Sequence, residues 1–135
     1  MAQTRVLADY VKNAVFAGQE MPEEYADALQ EFYEQEAEIT KLMSSDWQKC
    51  NRRLSVLKLN WLCRRSPAEA LSDCQTYLDN KGERLLPYTY DRTTRLSSYG
   101  YLVGIGSADS AGAYVSAWLP RSSDPHVGVV FSRSR

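Results

Sequence analysis

The sequence predicts an α+β fold, with about four helices followed by a three- or four-stranded antiparallel sheet. Three observations carry this. Residues up to about 82 read with the 3.6-residue periodicity of amphipathic helices and carry helix start and stop signals. After Gly82 the pattern changes to short runs rich in Tyr, Val, Ile, Trp and Phe, separated by clusters of Ser, Gly, Asp and Pro. At 135 residues, 44% hydrophobic and 24% charged, the chain is sized for one core. The helical part (about 1–82) and the β part (about 83–135) are therefore read as one domain, 1–135.

The first helix is predicted over residues 4–17, where Val6, Leu7, Tyr10, Val11, Ala14 and Val15 fall at helical spacing and Gly18 follows as a stop. The second begins at Pro22 and runs to about Met43. Tyr25, Ala28, Leu29, Phe32, Ile39 and Met43 form one stripe, and Glu23, Asp27, Glu31, Glu34 and Glu38 gather opposite it. Glu36 breaks this pattern, because it falls near the centre of the apolar stripe. An unpaired carboxylate there is costly, so Glu36 is expected either to pair with an arginine of the following segment or to lie where the stripe leaves the core.

Residues 46–65 are both the most apolar and the most basic stretch, with Lys49, Arg52, Arg53, Lys58, Arg64 and Arg65 set among apolar side chains. Ser45 with Gln48 fits a capping box. As a helix the segment has two apolar stripes: Trp47, Cys50, Leu54, Leu57 and Trp61 on one side, and Val56, Leu59 and Cys63 on another. Its cations are split between separate flanks, which marks a sandwiched structural element more than a basic groove binder. A strand over residues 54–63 is the competing prediction, since Leu57, Leu59, Trp61 and Cys63 also alternate. Ser66, Pro67 and Glu69 then start a further helix, with Ala70, Leu71, Cys74, Tyr77 and Leu78 as its apolar face and Gly82 as its stop. Strands are predicted over residues 85–90, 99–105, 113–119 and 127–132. The Gly-rich stretch 104–112 is read as a hairpin connection.

Charge is segregated along the chain. Residues 20–38 hold eight acids and no base, residues 47–65 six bases and no acid, and the formal net charge is −1. Three cysteines without CxxC spacing argue against a disulfide framework or a zinc ribbon and fit a reducing compartment. No signal peptide or membrane span is read, so a cytoplasmic protein with no membrane partner is expected. No metal and no cofactor are expected. The glycine stretch lacks the Gly-Lys-Ser/Thr of a phosphate loop, and no Gly-x-Ser-x-Gly is present.

The leading functional expectation is a small non-enzymatic interaction protein, a regulator, inhibitor or adaptor. A virus- or mobile-element-encoded antagonist of a host complex would suit so compact and motif-poor a chain. Its macromolecular partner, expected to be a protein, would meet either the acidic helix (Glu23, Asp27, Glu31, Glu34, Glu38) or the aromatic and arginine-bearing sheet (Tyr90, Arg92, Arg95, Tyr99). The alternative is nucleic-acid binding through the C-terminal arginines and aromatics. A further alternative is a ribonuclease-like enzyme using His126 as base, Glu83 as acid and Arg92, with Arg84 and Arg95, as a phosphate clamp.

Overall fold

The computed structural model describes residues 1–122 and 125–128. It has the predicted α+β arrangement, with helices followed by an antiparallel sheet. Helix α1 (Ala2–Tyr10) continues into a π-helical turn at Val11–Val15, and Gly18 at φ 73° ends the segment. Helix α2 spans Glu23–Ser45, α3 Trp47–Val56, α4 Lys58–Cys63 and α5 Pro67–Lys81. Strand β1 is Tyr90–Leu96, β2 Leu102–Asp109, β3 Gly112–Trp118 and β4 Val127–Gly128.

The central segment is helical, not a strand, and is broken at Leu57, whose ψ of 132° leaves the helical region. An unbroken helix would send its two stripes to different sides. The break turns Leu54, Leu57, Leu59 and Cys63 all into the core beside Leu7, Phe32 and Ile39, and each large apolar side chain so buried contributes about 1.5–3 kcal/mol. Val56 and Trp61, counted in those stripes, are left exposed. The new helix start is capped from α2, because the Lys58 N–H donates to the Glu31 carboxylate at 2.9 Å. At the start of α3 the cap is Asp46, which accepts from the Lys49 N–H at 3.0 Å, whereas Ser45 donates back to Lys41 O. The Ser66 and Glu69 capping box and the left-handed Gly82 stop of α5 form as predicted.

Glu36 pairs with Arg5 of α1, not with an arginine of the following segment, and its side chain is partly exposed. The stripe leaves the core there, and α1 brings the cation.

The sheet order is β3-β2-β1-β4, with β1, β2 and β3 antiparallel and the two-residue β4 parallel to β1. Residues 129–132 of the predicted fourth strand lie outside the described residues. Two strand predictions are displaced. Residues 85–89 are irregular because Pro87 has no N–H to give, and their backbone bonds to β2 are Ala108 N–H to Leu86 O (2.8 Å) and Ser107 N–H to Thr89 O (2.9 Å). Most of the glycine stretch lies in β2 itself, and the hairpin turn is Ser110 and Ala111.

Gly106 sits in β2 at an irregularity where a Cβ would stand 2.0 Å from Thr89 O. That contact is with backbone, which cannot rotate away. Gly106→Ala is therefore expected to cost roughly 3 kcal/mol, read as a lower urea midpoint with unchanged slope.

The cysteines are free and buried. Burial raises all three thiol pKa values, with Cys63 pushed up to about 11. A thiol that is rarely ionised and rarely exposed reacts slowly. Ellman's reagent at pH 8 should label all three at least roughly a hundredfold more slowly in the native chain than in denaturant.

Candidate functional site

The two edges of the sheet are finished differently. Beyond β1 lie β4 and the segment joining α4 to α5. There Arg64 Nη1 donates to Arg92 O at 2.9 Å, and the Thr94 N–H donates to Arg65 O at 3.0 Å. At the other side of the sheet β3 is the last strand.

Alternation fixes which groups β3 presents. The Tyr90 N–H donates to His126 O at 2.7 Å, so Tyr90 directs its backbone groups toward β4. Asp91 must then direct its own toward β2, where it is opposite Ile105. Gly104 and Gly106 therefore direct theirs away from β1 and toward Ser116 and Tyr114 of β3. It follows that Ala113, Val115 and Ala117 hold their N–H and C=O groups outward, along an edge that no strand of the described residues covers.

The side chains of the same three residues lie on one face of the sheet. Direct pairing puts Val115 on the face of Ile105 and Asp91, the face on which α5 packs. Helix α5 covers β1 and β2, so Ile105 is buried, but it stops short of β3, where Val115 is 64% exposed. Between α5 and the β2–β3 hairpin runs a groove of about 370 Å³ whose lining includes Leu71, Cys74 and Leu78 on one wall and Ala108 and Ala113 on the other. Leu71 is itself exposed. Residues 110–120 carry no charge. Edge strands ordinarily resist pairing through lysine, proline or a bulge, and β3 has neither residue in its length.

The residues singled out from the sequence do not converge on one surface. On α2, Glu23 and Asp27 are exposed. Glu31 caps α4, Glu34 accepts from Gln30 at 2.8 Å, and Glu38 lies 3.5 Å from Arg53. On the sheet, Tyr99 is exposed and Arg95 lies over the exposed Trp61 ring at 5.3 Å from its centroid. Tyr90 packs edge-on to Trp118, and Arg92 is buried at 3% exposure. Glu83 is exposed beyond the end of α5, and His126 is an exposed turn residue before β4. Arg84 donates to Asp109 O at the hairpin end. Val115, Ala113, Ala117 and Leu71 were not anticipated, although the uncharged run 110–120 was visible in the sequence.

Among the described residues, no helix is long and apolar enough to cross a membrane, and no group of three or more His, Cys, Asp or Glu is placed to hold a metal ion. No family model, curated protein or solved structure matches the chain.

Proposed function

We propose that this is a protein-interaction module that binds an extended segment of a partner protein along β3. One observation carries the proposal: the outward backbone groups belong to Ala113, Val115 and Ala117, whose side chains share one apolar face on which Val115 and Ala117 are exposed and Ala113 is half-buried. A strand laid on that edge would satisfy the backbone groups, and its own alternate side chains would continue the apolar face toward α5. The acidic part of α2 at Glu23 and Asp27 then serves as a solvated face, since its neighbours Glu31 and Glu38 are engaged within the chain.

A heterologous partner suits the site better than a second copy. Two copies joined antiparallel through β3 would be related by a twofold axis perpendicular to the sheet. Their apolar faces would lie side by side and stay uncovered. A partner that supplies a strand together with covering side chains leaves nothing so exposed.

Selection from a displayed library of random peptides tests the proposal. Binders with alternating apolar residues are expected, with binding lost in Val115→Pro and kept in the double variant Glu23→Lys, Asp27→Lys. Binders that ignore Val115→Pro would rule the β3 site out, and self-association of the free chain lost in the same variant would point to the second copy instead.

A further inference from the structure

Near the opposite face of the sheet, several buried hydrogen-bond donors of the described residues have no partner. Arg92 has Nε and Nη2 buried without a hydrogen-bond partner, and so are the Thr94 hydroxyl and the Trp118 indole Nε1. Arg92 stands directly opposite Gly104 in the β1–β2 pair, so the two share a face. The indole Nε1 lies over that glycine, 2.9 Å from where its Cβ would be. The Trp118 donor is thereby held on Arg92's face of the sheet, one strand pair away.

Arg64 acts electrostatically on Arg92, whereas Asp91 acts on Arg64 and not on Arg92. Asp91, on the other face, is bound by Arg65 through Nε at 3.1 Å and Nη2 at 2.8 Å. Arg64 spends its Nε on Asn60 Oδ1 and its Nη1 on Arg92 O. Among the described residues neither Arg64 nor Arg92 has a carboxylate within ion-pairing distance. Burial, with Arg64 adding repulsion, pushes the Arg92 guanidinium down to about 10, so it remains charged at neutral pH. The buried carbonyl oxygens left without a partner, Gln3 Oε1 and Asn51 Oδ1, are too few for four donors. Asn51 is moreover committed to the β1–β2 turn through Gly100. A buried cation with orphaned donors is among the most costly arrangements a fold can hold.

We infer that Arg92 and Trp118, which meet across Gly104, form a buried site for a small oxyanion, a phosphate or carboxylate group, with the buried Thr94 hydroxyl two residues along β1 as a further donor. An oxyanion accepts several hydrogen bonds at once and neutralises a guanidinium, which Arg92 needs and no described side chain supplies. The planar guanidinium offers two parallel N–H groups to two oxygens, and the indole and hydroxyl are single donors for the remainder. The site lies on the face of the sheet opposite the side chains of Ala113, Val115 and Ala117, although Trp118 belongs to β3.

The test is thermal unfolding of the full chain with sodium phosphate or sodium acetate, against sodium chloride at matched ionic strength. At least one oxyanion is expected to raise the Tm along a saturating curve, as binding to the folded state requires. Trp118→Phe, which removes one donor, should weaken the fitted affinity roughly tenfold, and Arg92→Leu should abolish the response. If Arg92→Leu fails to fold, Trp118→Phe and Thr94→Val decide. No rise with either anion, or a rise that is unsaturable and equal in wild type and Trp118→Phe, would overturn the site, because general salt effects behave that way.

Discussion

Val115→Pro is expected to abolish partner capture while leaving the chain folded. Proline removes the Val115 N–H, which alternation directs outward, and its ring occupies the space an added strand would take. No bond to β2 is lost, because the groups facing β2 belong to Tyr114, Ser116 and Trp118. Proline is tolerated in edge strands in just this orientation, so the stability cost should be about 1 kcal/mol or less. Binding should weaken roughly a hundredfold, from one lost hydrogen bond together with the steric block. Ser116→Pro is the control. One residue away, it strikes a group that faces Gly104 of β2, and it should cost roughly 3 kcal/mol of stability. Titration of a selected peptide, with urea unfolding of both variants, separates the two effects. If both prolines unfold the chain alike, the assignment of inward and outward groups on β3 is wrong.

The second large effect is on stability. Asp91 is 1% exposed and holds Arg65, which is itself buried and reaches Asp73 with its remaining nitrogen at 2.6 Å. Asp91→Asn leaves that guanidinium with only a half-exposed partner. Breaking a buried pair from one side costs about 3–5 kcal/mol, because the surviving charge stays out of water. Asp73→Ala should cost only about 0.5 kcal/mol, since the Asp73 side chain is 52% exposed and solvent screens the pair. Urea titration of the two variants should differ accordingly. Equal losses would mean that Asp91 and Asp73 share the Arg65 charge, contrary to the burial difference between them.

The helices were legible in the sequence because their signals are local. Ser66, Pro67, Glu69 and Gly82 mark both ends of α5 by rules that need only neighbouring residues. The break at Leu57 was not legible in this way. The Lys58 N–H after the break is capped by Glu31, 27 residues earlier, and that capping changes the meaning of the acidic row on α2. Strand boundaries failed for a related reason. The register of β2 depends on the close approach of Thr89 to Gly106, and strands β1 and β2 slip between Arg92 and Leu96. The sheet edge is a property of strand order, and composition is silent on that order. Residues 110–120 show only that an uncharged strand exists. Whether it lies at the centre or the edge decides whether it is core or docking surface. Arg92 illustrates the same point, because an arginine in a β-run is ordinarily exposed and this one is enclosed.

The most direct measurement is hydrogen exchange by mass spectrometry of the chain alone and bound to a selected peptide. If β3 is the docking edge, residues 112–118 gain protection on binding and α2 keeps its free-state exchange. Protection that appears on the Glu23 to Glu38 face, with β3 unchanged, would contradict the account.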